Sequence, residues 1–441
     1  MSVLCLNMGS ENNNRMASFT MESLQEYRRR TSKRKLIVIH GKVYDVTEFI
    51  HRHPGGAKVI ASYSGEDATD VWTAMHNDKL IVEKYMKPLL CGFVEDYEEN
   101  IPPIVRDFRK LRQFAEDSGW FRADPFFFFK YLAQCYLLEL SALLTLWFCG
   151  VNPVSFLLAA ALMCVSQAQV GWAQHDYGHL CVFNSRRLNH VAHEFIVGHL
   201  KGASSHWWNF RHFLHHSKPN VAGTDPDISL PYIFLLGDKL PVEWGRKRRG
   251  FMPYNWQHGY FWLLGPPMLL PVYFHYENLY FVLKRRDWRD LIWSLSFFVK
   301  FLYLFNHFFS SWWITFGFYM LIRYLESHWF VACTQMSHLP MDIDHDQRRD
   351  WFTQQLRSTL NAEPGWFNDW FTGHLNYQIE HHLFPTMPRH SFSLAQPYVK
   401  SLCSKYSLAY TEKPLATAMR DIIRSLQRSG SLWFEAYHTP G

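Results

Sequence analysis

The sequence lacks the cysteine pattern of a disulfide scaffold or of a thiolate metal site. Its eight cysteines are scattered and include no CxxC pair, and Cys135, Cys149 and Cys164 lie in apolar stretches. No disulfide framework is therefore implied, and any metal ligands should be nitrogen or oxygen atoms rather than thiolates.

The chain also lacks a strong charge of one sign and an apolar segment at its start. Its formal net charge is only +6, and the basic run at 246–249 lies beside apolar segments. Lys and Arg are frequent beside apolar membrane segments on the cytosolic side of a membrane. We therefore expect this basic run to contact a membrane surface, and we expect no nucleic acid as partner. We expect no cleaved signal peptide, and a disordered stretch at 1–20.

Mean hydropathy is low, at −0.20, although 48% of the residues are hydrophobic. The apolar residues must therefore be concentrated in blocks, and about 20 of them suffice to cross a bilayer. Two blocks, 125–148 and 154–172, are long enough to cross. A later region offers three candidate segments, 260–283, 291–309 and 312–330.

Three histidine clusters are the most specific pattern. They are QHDYGH at 174–179, HFLHH at 212–216 and QIEHH at 378–382. Residues three and four apart share one face of a helix, so we expect each cluster to present its imidazoles to a single point. The clusters hold seven imidazoles: His175, His179, His212, His215, His216, His381 and His382. Seven nitrogens exceed what one zinc ion needs and suit two iron ions.

The clusters must lie on one side of the membrane if they share metal ions, so an even number of spans separates the second from the third. We expect 291–309 and 312–330 to form a hairpin and 260–283, which contains three prolines and precedes basic residues, to be interfacial. Lys300 argues against this choice. In the alternative, 260–283 crosses and a single further span lies near 302–325.

A shorter motif marks a separate N-terminal domain. HPGG at 53–56 is followed by His76, and two neutral imidazoles could occupy both axial positions of a haem iron. With VYDV at 43–46 and GEDA at 65–68, residues 21–97 resemble cytochrome b5. The resemblance implies an α+β haem domain with His53 and His76 as axial ligands of haem b. Residues 98–125 suit a linker with an amphipathic helix.

The remainder, 126–441, resembles the membrane fatty acid desaturases and their hydroxylase relatives. The resemblance rests on the three clusters and on WWN at 207–209, MPYN at 252–255, NDWF at 368–371 and HHLFPTMP at 381–388. It implies an all-α membrane domain with about four transmembrane helices and a cytosolic di-iron cap. It also carries over His338 and Gln378 as further ligands. Asp176, Asp225, Asp227 and Glu380 could orient ligand imidazoles or be ordinary capping and solvated residues.

Gln378 in place of a histidine, together with the fused haem domain, is typical of front-end desaturases. The chain looks most like the animal delta-6/delta-5 enzymes that act on polyunsaturated fatty acyl-CoA. This resemblance implies O2 as co-substrate and NADH as the electron source through cytochrome b5 reductase. It also implies a multi-pass protein of the endoplasmic reticulum membrane with both termini and the histidine clusters in the cytosol.

Other functions stay open at this point. A sphingolipid delta-8 desaturase or a fatty acid hydroxylase would use the same iron chemistry. A membrane-anchored electron carrier would need no histidine clusters. A metal transporter should carry its ligands near the membrane midplane rather than at one boundary.

Overall fold

The computed structural model describes residues 16–30, 33–229 and 232–439. Of the stretch predicted to be disordered, residues 1–15 lie outside the described part. The prediction is wrong for the rest, because Ala17–Phe19 forms a strand that pairs in parallel with residues 92–94.

The N-terminal domain is α+β, as predicted. In chain order its elements are β1 Ala17–Phe19, α1 Met21–Arg30, β2 Leu36–Ile39, β3 Lys42–Asp45, α2 Ala57–Ser62, α3 Thr69–Met75, α4 Lys79–Met86 and β4 Leu90–Val94. The sheet order is β1-β4-β3-β2, and β2 and β3 form an antiparallel hairpin. Gly41 turns this hairpin with φ +70°, a conformation that glycine adopts without steric cost.

The segment between the two domains is packed rather than free. Its central helix, α5 (Pro103–Asp117), is amphipathic as predicted and buries Val105, Phe108 and Ala115. The Phe108 ring stacks on Phe384 with the ring centroids 5.6 Å apart. Helix α5 therefore connects the N-terminal domain to the region of the third histidine cluster.

The rest of the chain is mostly helical. Its elements are α6 Pro125–Cys149, α7 Pro153–Gly178, α8 Arg186–His193, α9 Ser205–Ser217, α10 Lys239–Arg246, α11 Gln257–Met268, α12 His275–Arg285, α13 Trp288–Phe305, α14 Trp312–Gln335, α15 Trp351–Ser358, β5 Asn361–Ala362, α16 Trp366–Thr372, α17 Gln378–Leu383, α18 Phe392–Lys405, β6 Glu412–Lys413 and α19 Leu415–His438. The all-α prediction misses the short parallel pair of β5 and β6.

Two helices of the described part, α6 and α7, are long and apolar enough to cross a membrane. Helix α6 leaves most of its apolar surface exposed, whereas α7 is largely buried. Helices α13 and α14 follow each other along the chain and contact through the rings of Phe305 and Phe318. Residues of all four helices share one buried apolar cluster. Lys300, the residue that argued against a span here, is paired with Glu139 of α6 at 2.9 Å.

The segment between these two pairs is helical despite its prolines. Helices α11 and α12 are joined by a π-helical turn, Leu269–Phe274. The hydroxyl of Ser327 donates to the carbonyl of Pro266 at 2.6 Å, which satisfies a backbone group near the irregular turn. Helix α11 packs on α14 and α19, so this segment is joined to the rest of the domain.

Candidate metal centre and haem site

Helix ends bring the three histidine clusters to one buried region. The first cluster lies at the end of α7, the second on the last turns of α9 and the third on α17. All eight predicted histidine ligands meet there and form two groups. Within each group the ligand atoms all lie within 4.8 Å of one another. The five-histidine group contains His175, His179, His212, His216 and His381. The three-histidine group contains His215, His338 and His382.

The expectation that each cluster serves a single point is wrong for the second and third clusters. His215 and His216 are adjacent in sequence but belong to different groups, and so do His381 and His382. Neighbouring residues on a helix point about 100° apart, because 3.6 residues complete a turn. His212 and His216, one turn apart, share a group. Each adjacent pair therefore links the two groups.

The ligand atoms of the five-histidine group are closely spaced. The Nε2 atom of His212 lies 2.9 Å from that of His179 and 3.0 Å from that of His216. The Nε2 atoms of His175 and His381 are buried without a hydrogen-bond partner in the described chain. Such buried nitrogens are costly when unsatisfied, and a metal ion would satisfy all of them at once.

The three-histidine group is held by hydrogen bonds at the opposite side of each ring. The Nδ1 atoms of His215, His338 and His382 lie 2.9–3.0 Å from acceptor oxygens. In the same order, these are Oδ2 of Asp225, the carbonyl of Ser358 and Oε1 of Gln355. Donation from Nδ1 fixes the tautomer and leaves Nε2 for a metal. This arrangement is typical of metal-binding histidines.

Gln378 lies beside this second group. Its Nε2 atom is 2.9 Å from Nε2 of His338, and its side chain is buried. A rotation of the amide by half a turn places its carbonyl oxygen at the same point, where it could bind a metal or hold a water molecule. The structure thus brings all nine predicted side chains together.

Burial keeps most of these imidazoles neutral. It lowers the pKa of His179 and of His338 to about 3, and it lowers the pKa of His212, His216, His381 and His382 well below the ordinary value. Burial also acts to lower the pKa of His215, but Asp225 and Asp227 outweigh it and raise that pKa to about 9. Neutral imidazole is the form that binds metals.

Two of the four acidic residues proposed to orient imidazoles contact one. Asp225 accepts from His215, and Asp227 lies 3.7 Å from the same nitrogen. The prediction is wrong for Asp176, which binds Arg389, and for Glu380, which accepts from Asn361 and Tyr410. These two carboxylates connect the ligand-bearing segments to the rest of the domain instead.

Sequence reasoning did not single out Gln355, and it named Trp208 only within the WWN motif, without a role at the site. Gln355 lies on α15, far from any histidine cluster in sequence, and no local pattern indicates its contact with His382. The Trp208 ring stacks on His212 with the centroids 4.2 Å apart. Gly178, inside the first cluster, makes room for it, since a Cβ there would lie 2.3 Å from the Trp208 ring. The spacing of Gly178 and Trp208 gave no indication of this contact.

The haem site is formed by the turn before α2 and by the end of α3. The rings of His53 and His76 have centroids 6.2 Å apart. Metal–nitrogen bonds of about 2 Å would place one ion between two such rings. Their Nδ1 atoms face backbone oxygens, that of His76 at 2.9 Å from Trp72 and that of His53 at 3.4 Å from Gly56. Burial and the neighbouring His76 lower the pKa of His53 to about 4.

Glycine is required next to the first haem histidine. A Cβ at Gly55 would lie 2.9 Å from Cε1 of His53. His53 and His76 would together hold a haem iron, which would supply transfer of single electrons rather than binding of O2.

Comparison with protein families agrees with this geometry. A family model described as "Cytochrome b5-like Heme/Steroid binding domain" matches residues 20–95. A second, described as "Fatty acid desaturase", matches residues 151–414, which is more than half of the chain. The two domains occur in the order typical of front-end desaturases. The chain belongs to the fatty acid desaturase family and carries a cytochrome b5-like domain fused at its N-terminal end.

Proposed function

We propose that this desaturase is a front-end enzyme that inserts a cis double bond, delta-6 and/or delta-5, into C18–C20 polyunsaturated fatty acyl-CoA. The observation that carries the proposal is the meeting of eight histidines and Gln378 in two adjacent buried groups, on a chain with its own two-histidine haem site. The histidines and Gln378 are proposed as ligands or near neighbours of two iron ions.

Two bound irons would supply the O2-dependent oxidation that an unactivated C–H bond requires, because no side-chain base can remove its hydrogen. Overall, the reaction consumes O2, two electrons and two protons and yields one double bond and two waters. The residues of the chain hold most of the imidazoles neutral, fix the tautomers of those that donate from Nδ1 and keep the site buried. Burial of this kind excludes bulk water from the reacting acyl chain.

Electrons would reach the metal centre through the haem domain. His53 and His76 would hold haem b, which passes one electron at a time. The proposed partner on the other side is cytochrome b5 reductase, which takes its electrons from NADH. The haem site and the histidine groups lie in one chain, so no second cytochrome is needed.

The proposed membrane arrangement has about four transmembrane helices, α6, α7, α13 and α14, in the endoplasmic reticulum membrane. The shared apolar cluster of these helices and the pairing of Lys300 with Glu139 support it. Both termini and the histidine groups would then face the cytosol. The acyl-CoA head group would bind at this side near basic residues such as those at 246–249.

Expression in yeast with separate feeding of C18 and C20 polyunsaturated acids tests the proposal. Mass spectrometry should locate a new double bond on the carboxyl side of an existing one. His53→Ala and His382→Ala should abolish it, whereas His51→Ala, on an exposed side chain beside the haem motif, should not. A hydroxylated acid or a modified sphingoid base would overturn the proposal in favour of the hydroxylase or delta-8 alternative.

A further inference from the structure

The haem domain and the desaturase domain share one hydrophobic core. A single buried cluster contains Trp72 and Ala74 of helix α3 together with Phe108, Leu383 and Phe384. Leu383 directly follows His382 in the third histidine cluster. Two domains that exchange between docked and free states bury little apolar surface between them. The shared core therefore indicates a fixed arrangement.

A hydrogen bond joins the neighbours of a haem ligand and of a metal ligand. Asn77 follows His76, and its Nδ2 atom donates to the carbonyl of Leu180 at 2.8 Å. Leu180 follows His179 of the five-histidine group and has φ +60°, which is uncommon for leucine. One side-chain hydrogen bond thus completes a bonded path from His76 to His179.

A second contact reaches the same group from the end of helix α2 of the haem domain. The hydroxyl of Tyr63 donates to the carbonyl of Ser217 at 2.5 Å. Ser217 is the last residue of α9 and follows His216. The two bridges thus start from different parts of the haem domain, and both end next to ligands of the five-histidine group.

A buried charge cluster holds the two domains together beside Tyr63. Lys218 is 3% exposed, and its Nζ atom contacts Glu66 of the haem domain at 2.7 Å and Asp346 at 2.9 Å. The same nitrogen lies 4.7 Å from the centroid of the Tyr63 ring. Arg28 binds the other oxygen of Glu66 at 2.6 Å. Buried charges of this kind are stable only while their partners stay in place.

We propose that Asn77 and Tyr63 are positioning residues for electron entry at the five-histidine group, and that Lys218 locks the haem domain in the required orientation. This inference rests on the proposed function. A haem held by His53 and His76 would give up one electron in each transfer, and a metal held by the five-histidine group would accept it. Two transfers, with two protons and one O2, balance the removal of two hydrogens as two waters.

The role of Lys218 in fixing the haem domain is tested first, in an experiment without turnover. Hydrogen–deuterium exchange is measured on the full-length protein, haem-loaded and stripped of non-haem iron, over residues 57–66 and 216–221. Lys218→Met leaves Glu66 and Asp346 without their shared cation and should increase opening of both segments by about a hundredfold. Lys84→Met, on an exposed lysine of the haem domain, should leave exchange unchanged. Fast exchange of both segments in the unmodified protein would overturn the proposed role of Lys218.

The path is tested by following the haem spectrum rather than the product. The haem of the iron-loaded protein is photoreduced without O2, and its reoxidation by the metal centre is timed. Asn77→Leu removes the donor at similar size and should slow reoxidation several-fold, and Asn77→Gln should restore part of the rate. Asn100→Leu, which removes a local hydrogen bond from the linker residue Asn100 to the carbonyl of Asp96, is the matched control.

Tyr63→Phe should also slow reoxidation while haem content, haem reduction and iron content stay unchanged. Unchanged reoxidation in both Asn77→Leu and Tyr63→Phe would overturn the inference. That failure is distinct from failure of the proposed function. If only this inference fails, the unmodified protein makes the double bond while the variants transfer electrons normally. If the proposed function fails, the unmodified protein makes no double bond although electron transfer is measurable.

Discussion

Arg389 binds Asp176 in the interior of the protein, with 2.6 Å between Nε of the arginine and Oδ2 of the aspartate. Asp176 lies between His175 and Tyr177 on α7, and Arg389 follows the third histidine cluster by seven residues. The same guanidinium donates to the carbonyls of Gly373 and Trp172. One side chain thus fixes the first cluster relative to the third.

Replacement of Arg389 by methionine should therefore destabilise the protein strongly. The change leaves the Asp176 carboxylate buried without its cation, which typically costs about 3–5 kcal/mol. Non-haem iron content should fall as well, because His175 and His381 lose their relative placement. Arg428→Met removes an exposed ion pair with Asp238 and should change stability by less than about 1 kcal/mol. Equal effects in denaturant unfolding would contradict this role of Arg389.

Asp225 should control metal affinity at the three-histidine group. Its carboxylate accepts from Nδ1 of His215 at 3.0 Å and also from the backbone amides of Asn220 and Asp227. Asp225→Asn weakens the acceptor at nearly constant shape, and such changes reduce metal affinity by about 10–100-fold. Chelator competition measures this affinity. Asp227→Asn, at the more distant carboxylate, should have a smaller effect, and the reverse order would argue against the assignment.

Gly178→Ala should disturb the five-histidine group through Trp208. The added methyl group would lie 2.3 Å from the indole, so Trp208 must move off His212. Overpacking of this kind costs about 1–3 kcal/mol. Gly259→Ala, at a position with open space around it, should be nearly neutral. Thermal unfolding compares the two variants, and a neutral Gly178→Ala would show that the indole position is not constrained.

Removal of non-haem iron should destabilise the desaturase domain. Several ligand nitrogens, including Nε2 of His175, His381 and His382, are buried without another partner in the described chain. A ligand present at about 1,000 times its Kd adds about 4 kcal/mol of stability, so chelation should lower the unfolding temperature by several degrees. Added Fe²⁺ should reverse the change while the haem absorbance stays constant. An unfolding temperature indifferent to chelation would speak against a resident metal.

Sequence spacing identified seven of the nine ligand candidates and the family resemblance supplied His338 and Gln378, but neither predicted how the ligands are grouped. His212 and His216 share a group, as residues one helical turn apart should. The split of His215 from His216 follows from the 100° step between neighbouring residues. Spacing does not predict, however, which histidine of the third cluster each of them faces. Gln355 and Ser358 orient ligands from α15, and such contacts depend on tertiary packing that no local pattern encodes.

The errors have physical causes of the same kind. The polar start of the chain suggested disorder, but the edge of β4 offers unpaired backbone groups that Ala17–Phe19 satisfies. Asp176 and Glu380 lie next to ligand histidines in sequence, but on helices their side chains point away from those histidines to Arg389 and to Tyr410. Proximity in sequence did not predict proximity of side chains.

Non-haem iron content, measured on purified haem-loaded protein, tests the central claim most directly. Two adjacent ligand groups predict two non-haem irons per chain in the unmodified protein. His382→Ala should lower that number, whereas the exposed control His51→Ala should keep both. One iron per chain, zinc in place of iron, or a content unaffected by His382→Ala would contradict the account of a di-iron desaturase.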